Sequence, residues 1–205
     1  MLNSNNIKLL IFDMDGTLID SAYLNYYSYY NAFKKFNIEL DTDYYYKKCF
    51  GLHYKVFTKN ILELNDKLTN DENKNNELIE SIHNLKEKIY LENLNLVKIH
   101  PFMFETLIDN YNRKENKKYT ALATTASPNG VYAILKTFQL EHLFDLVLTG
   151  NDIEKKKPDP EVFYKCMEHF NIKEEESIIF EDSEVGLEAA NQTNAWVIKI
   201  EKWVK

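Results

Sequence analysis

Along the chain, short runs of uninterrupted apolar residues alternate with longer segments that are apolar every third or fourth position. Leu9-Leu10-Ile11-Phe12 follows a polar stretch and precedes an acid, the pattern of a buried strand. Similar runs end near Thr124, at Leu148, at Phe180 and at Ile200, which predicts five strands. Helical segments separate the later four. Residues 102–112 are apolar at helical spacing, behind a Pro101 that can occupy the first turn. Ser127-Pro128 reads as an N-cap and a first-turn proline, opening a helix to about Phe138. Asp159-Pro160 repeats that signal for a helix to about Phe170, and Ser183 starts another to about Asn191. Strands and helices in this alternation predict an α/β fold with a doubly wound parallel sheet and right-handed crossovers.

The first two strands are far apart. Between them, residues 23–36 and 54–64 read as helices, and so do residues 77–91, where Leu78, Ile82, Leu85 and Ile89 recur three and four apart. Residues 65–76 are polar and lack an apolar period, so they read as a loop, and Gly51 suits a turn between two helices. The expected division is therefore an α/β core of residues 1–19 and 97–205 with an all-helical insert of residues 20–96. The insert is rich in tyrosine, including Tyr26, Tyr27, Tyr29, Tyr30, Tyr44, Tyr45 and Tyr46. These rings are read as amphipathic cover for helix faces, because no nucleic-acid motif accompanies them.

Composition narrows the partners. The 205 residues are 44% hydrophobic, enough for a sizeable core. A formal charge of −7 with scattered Lys and Arg argues against nucleic acid or an anionic membrane. Cys49 and Cys166 lie far apart with no metal-ligand spacing, as expected of buried thiols in a reducing cytoplasm. The first six residues lack a basic start and an apolar signal core, and no apolar stretch approaches a membrane span. A monomer or weak dimer is expected.

The candidate chemistry lies at strand ends. Asp13 and Asp15 follow the first strand, at the edge where open α/β sheets bind ligands. Two acids so close repel each other unless a cation or substrate lies between them. That pair reads as a metal-assisted nucleophile with an acid/base partner. Three further fragments join it in order: Ala121-Leu122-Ala123-Thr124-Thr125, Lys157-Pro158-Asp159-Pro160, and Ile178-Ile179-Phe180-Glu181-Asp182-Ser183.

With Asp-Met-Asp-Gly-Thr-Leu at residues 13–18 and Lys-Lys-Pro-Asp-Pro at 156–160, the chain resembles the haloacid dehalogenase superfamily from Ile7 to about Ile200. It is most similar to the branch of β-phosphoglucomutase and small sugar-phosphate phosphatases. The resemblance implies a Rossmann-like core, a helical cap that closes over the site, and Mg2+ held by the Asp13 carboxylate, the Asp15 carbonyl and the Asp182 carboxylate. It implies Asp13 as nucleophile, Asp15 as general acid and then base, and Glu181 acting on the ion through water. Lys157, which directly precedes Pro158, is the expected phosphate cation, ahead of Lys155 and Lys156. Thr124 or Thr125 would bind phosphate: counting from the strand favours Thr124, counting back from Ser127-Pro128 favours Thr125. His53 and Lys55, in the segment similar to the cap loop, are candidates for the substrate's distal end.

The implied activity is magnesium-dependent hydrolysis of a small phosphorylated metabolite, such as a sugar phosphate. A β-phosphoglucomutase-like phosphotransferase is the alternative. Against it, Asn25 stands where such mutases carry a His, and Tyr54 where they carry an Arg. Dehalogenation and phosphonate cleavage fit less well, since those branches lack the second Asp. A non-catalytic protein on this fold is not expected, because Asp13, Lys157 and Asp182 are all present.

Overall fold

A computed structural model describes residues 6–49 and 52–201. Gly51, expected in a turn, lies outside the described residues, as do residues 1–5. The chain divides into two compact units, Met1–Ser21 with Val97–Lys205, and Ala22–Leu96.

In chain order, β1 (Leu9–Phe12) and β2 (Ile19–Asp20) open the first unit. The second unit holds α1 (Ala22–Lys35), α2 (Thr42–Tyr44), α3 (Tyr54–Leu64) and α4 (Glu72–Glu92). The first unit resumes with β3 (Lys98–Ile99), α5 (Pro101–Tyr111), β4 (Tyr119–Ala123), α6 (Pro128–Thr137) and β5 (Leu146–Leu148). It ends with α7 (Glu161–Phe170), β6 (Ser177–Glu181), α8 (Glu184–Ala190) and β7 (Trp196–Lys199).

Five parallel strands run in the order β5-β4-β1-β6-β7, flanked by helices. The expected strands are all present. Central β1 is buried along its whole length, which is why its sequence is apolar without alternation. Leu9, Ile11, Ala121, Ala123 and Ile179 pack with Val162, Phe163, Cys166 and Met167 of α7 and with Ala189 and Ala190 of α8. On β1, Phe12 stacks on Phe180 of β6 with ring centroids 4.8 Å apart.

Register decides what this sheet presents. Phe12 is paired with Leu122 on one side and Phe180 on the other. The next residues, Asp13, Ala123 and Glu181, therefore form one row at the carboxyl edge. There the chain crosses from one side of β1 to the other, the place where open α/β sheets form their ligand crevice.

Several local expectations need correction. Residues 65–76 are not all loop: α4 begins at Glu72, because Asp71 caps it by accepting from the Asn73 and Lys74 N–H groups. Polar residues at the start of a long helix carry no apolar period, so periodicity missed this turn. Thr42–Tyr44 is helical and continues as a π-helix over Tyr45–Cys49, with Tyr45 and Cys49 buried. The strands β2 and β3 form a two-residue antiparallel pair, too short to be periodic. Pro160 stands in the cap position of α7, one residue later than expected, while the Asp159 carboxylate still accepts from the Glu161 N–H. Ser127 precedes α6 without a capping side-chain bond.

In the helical unit, α1 and α3 both pack on α4. Its core is Tyr29, Ala32, Phe33, Ile38, Leu40, Tyr45, Cys49, Phe57, Ile61, Leu62, Ile79 and Ile82. Tyr29 meets Phe57 edge-on, and the buried Lys86 lies over the Tyr29 and Tyr90 rings while paired with Glu87. Some of the tyrosines are thus packing elements, while Tyr23, Tyr30 and Tyr46 are exposed. Both cysteines are free and buried. Among the described residues no helix is long and apolar enough to cross a membrane.

Candidate active site

The loop after β1 turns back on itself. The Met14 carbonyl accepts from the Leu18 and Ile19 N–H groups, and the Gly16 N–H donates to the Ile19 carbonyl. Gly16 sits at φ +95°, and a Cβ there would fall 2.2 Å from an Asp182 oxygen. Only glycine allows both the turn and that approach. The turn separates its two acids. Asp13 is buried, whereas Asp15 is exposed and accepts from the buried Ser21 hydroxyl. Thr17, also buried, donates to Asp182 Oδ1 at 3.1 Å.

Lys157 comes from the loop before α7 and joins the row at the sheet edge. Its ammonium donates to Asp13 Oδ1 at 2.5 Å, Glu181 Oε2 at 2.7 Å and the Ala123 carbonyl at 3.2 Å. It also lies 5.0 Å from the Phe163 ring centroid. One cation thus spans the ends of β1, β4 and β6. Lys155 and Lys156 do not share this position: Lys155 pairs with Asp159 at the surface, and Lys156 is exposed.

Charges here are unbalanced. Asp13, Glu181 and Asp182 each offer an oxygen within 4.8 Å of the others. Three carboxylates face a single ammonium. Burial pushes the Asp13 carboxyl up to about 8, with Glu181 and Asp15 adding to it and Lys157 opposing. Burial and Glu181 likewise hold Asp182 above its ordinary value. Burial pulls Lys157 down, but Asp13 and Glu181 outweigh it, so the ammonium keeps its proton. A divalent cation beside Asp13 and Asp182 would reverse the repulsion and return Asp13 to its carboxylate form. The hard oxygen donors suit Mg2+. The residues present therefore fit such an ion.

Glu181 is fully buried and densely engaged. Its Oε1 accepts from the Asp182 N–H, the Ser183 N–H and the Ser183 hydroxyl, and its Oε2 from Lys157. Thr124 is buried at the end of β4; its N–H goes to the Leu148 carbonyl and its hydroxyl accepts from the Ala126 N–H. Thr125 is half-buried, and its N–H meets no acceptor among the described residues. Gly150 lets the chain after β5 approach this loop, since a Cβ there would lie 2.5 Å from the Thr125 carbonyl.

His53 and Lys55 belong to the helical unit. His53 caps α3, its Nδ1 accepting from the Lys55 N–H at 3.4 Å, and Lys55 pairs with Glu80 at 3.0 Å. Tyr54 donates to the same Glu80 and stacks on His83. Sequence reasoning missed Thr17, Ser21 and Gly186 as parts of the candidate site. Thr17 lies inside the recognised run, and Gly186 is a lone glycine within a helix, a position that calls for a packing reason.

Residues 10–200 match the model of the haloacid dehalogenase-like hydrolase family, and the chain belongs to that family. A phosphorylated carbohydrates phosphatase of Thermotoga maritima is 28% identical, over 90% of this chain and 80% of its own length. A fructose-1-phosphate phosphatase of Escherichia coli is 22% identical over 88% of this chain and 89% of its own. Among solved structures, a predicted phosphoglycolate phosphatase from Haemophilus somnus superposes with a TM-score of 0.80 at 25% identity, covering 95% of this chain and 85% of that one. A β-phosphoglucomutase from Clostridium difficile has a TM-score of 0.70 at 25% identity, over 94% and 84% of the two chains.

Proposed function

We propose that this protein is a magnesium-dependent phosphomonoester hydrolase for a small phosphorylated metabolite, in particular a sugar phosphate, working through an aspartyl phosphate. The observation that carries the reading is the Lys157 ammonium spanning Asp13, Ala123 and Glu181 beside a second acid, Asp182. The relatives named as phosphatases of phosphorylated carbohydrates and of fructose 1-phosphate support the substrate class.

Asp13 attacks phosphorus in line, and the bond from phosphorus to the leaving oxygen breaks. Asp15, exposed and oriented by Ser21, gives its proton to that oxygen. Asp15 then takes a proton from water, which attacks phosphorus and releases Asp13 and inorganic phosphate. Lys157 binds a non-bridging oxygen and lowers the charge that a phosphate dianion presents to Asp13. The Thr125 N–H and the Thr124 and Thr125 hydroxyls are the remaining phosphate donors. The Asp13 carboxylate, the Asp15 carbonyl and the Asp182 carboxylate would hold Mg2+. When bound, that ion neutralises charge shared between Asp13 and the phosphate oxygens.

The test is phosphate release from a panel of sugar phosphates, nucleotides and phosphoglycolate, with Mg2+ or with chelator, beside Asp13→Asn. Release that needs Mg2+ and is lost in Asp13→Asn is expected. Absence of release from every ester overturns the reading. Rapid interconversion of β-glucose 1-phosphate and 6-phosphate with little free phosphate would replace it by the mutase.

A further inference from the structure

Among the described residues, the sheet ends in a strand whose outer edge has no partner: β7 is last in the order β5-β4-β1-β6-β7. Its inner side runs parallel to β6, with Trp196, Val197, Ile198 and Lys199 registered to Ile178, Ile179, Phe180 and Glu181. Successive residues of a strand turn their backbone groups to opposite sides. The Ile200 N–H donates to the Glu181 carbonyl at 2.8 Å, so Ile200 faces β6. Trp196 and Ile198 share its parity and face β6 as well. Val197 and Lys199 therefore point their N–H and C=O groups outward, away from the sheet. Such an edge is a template for another strand.

Side chains of the same strand divide by face. Ala195 and Val197 pack against the cluster that α7 and α8 build on one side of the sheet. Trp196 and Ile198 lie on the opposite face, where they are 42% and 38% exposed. Charge, proline or a covering element commonly guards an edge against pairing. Within β7 there is no proline, and its one charge, Lys199, stands at the end of the strand.

We propose that β7 pairs antiparallel with β7 of a second copy, across a two-fold axis perpendicular to the sheet, to form a weak dimer. Antiparallel strands exchange hydrogen bonds between residues whose backbone groups both face the gap. Setting Val197 against the second copy's Val197 meets that condition. It also places Ala195 opposite Lys199 and Trp196 opposite Ile198, on both sides of the axis. Each exposed ring then covers an exposed β-branched side chain, a favourable cross-strand pair formed twice. The two Lys199 ammoniums lie at opposite ends of the paired segment. A shift of two residues one way makes these lysines diagonal neighbours, and the other way sets Ile198 against Asn194. Hydrogen bonding, apolar cover and charge thus select one register, in which the strand complements itself. That self-complementarity is what points to a second copy as the occupant. Four residues from each chain are few for a standard interface of about 1,600 Å², so the dimer is weak. Because the strands are antiparallel, the two candidate sites lie at opposite ends of the joined sheet.

The experiment follows the whole chain by sedimentation velocity from about 10 μM to about 1 mM, with amide hydrogen exchange at both ends of that range. The wild type is expected to move from monomer toward dimer. Its Val197 and Lys199 amides should gain protection of about twofold or more at the high concentration, while Trp196 and Ile198, already bonded to β6, change little. Trp196→Lys combined with Ile198→Lys sets like charges opposite each other and is expected to remain monomeric at about 1 mM. Trp196→Lys combined with Ile198→Glu sets a cation against an anion in this register and in neither shifted one, and is expected to restore the dimer. A wild type that stays monomeric at about 1 mM overturns the proposal and leaves the edge to an extended peptide of another protein. Association that persists in the two-lysine variant, or that leaves Val197 and Lys199 unprotected, overturns it by placing the contact elsewhere. A monomeric Lys/Glu variant overturns the register. If the double variants fail to fold, hydrogen exchange of the wild type decides.

Discussion

Asp13 and Asp15 share a side chain and differ in everything around it. Asp13 is buried against Lys157, and Asp15 is exposed and held by Ser21. Under the proposed mechanism, this difference in environment divides identical chemistry into nucleophile and proton carrier. If Asp15 is the acid, Asp15→Asn lowers kcat on alkyl phosphates by about 10²–10⁴. Esters of p-nitrophenol need no proton on departure, so their first turnover survives. A rapid burst of p-nitrophenolate followed by slow turnover checks this, and equal losses on both ester types would contradict it. Gly16 carries a second residue-scale prediction. Gly16→Ala combines positive-φ strain with a Cβ set into the Asp182 carboxylate. It should destabilise by about 1–3 kcal/mol in denaturant titration and lower activity as well.

At the scale of elements, the helical unit has its own core and, in His83, a titratable group packed into it. Ile82 is fully buried on α4, and Ile82→Ala should cost about 2–5 kcal/mol, read from the urea midpoint. One turn of that helix also brings His83 against the Tyr54 ring, with Nδ1 3.3 Å from the Tyr29 hydroxyl. Burial holds this imidazole below its ordinary value of 6.5; Lys86 and His53 act in the same direction, while Glu87 and Glu80 oppose. The unfolded chain therefore takes up the proton first as pH falls. Stability from a neutral His83 is complete above about 6.5 and is lost as pH falls through the lower folded value. The urea midpoint should drop between about pH 7.5 and about pH 5.5 in the wild type, and less in His83→Gln. An equal drop in both would remove His83 as the cause.

For the whole molecule, the consequence of the site is excess negative charge at the sheet edge. A ligand that binds only the folded chain stabilises it by mass action. Mg2+ at a concentration about 100 times its dissociation constant should add about 2.7 kcal/mol. The wild type should show the rise as a higher thermal midpoint, and Asp182→Asn should show little of it. A rise of the same size in both would place the ion elsewhere.

The local chemistry of this fold is written into short stretches of sequence. Uninterrupted apolar runs before Asp13, Thr124 and Glu181 required buried strands, because such a run has no polar face to turn to water. Acids, hydroxyls and a lysine at the ends of those runs, with the Asp-Met-Asp-Gly-Thr-Leu run among them, were enough to mark the edge proposed as the active site. Periodicity found α1, α3 and the apolar length of α4, but not the polar turn that Asp71 starts or the two-residue β2–β3 pair, whose hydrogen bonds leave no period. Strand order and register were not legible either. Only the pairing of Phe12 with both Leu122 and Phe180 brings Asp13, Ala123 and Glu181 within reach of one ammonium. A sequence records which groups exist and how local segments bury their apolar faces; contacts between residues as distant as Asp13 and Lys157 depend on how whole elements pack, and packing follows from all of them together.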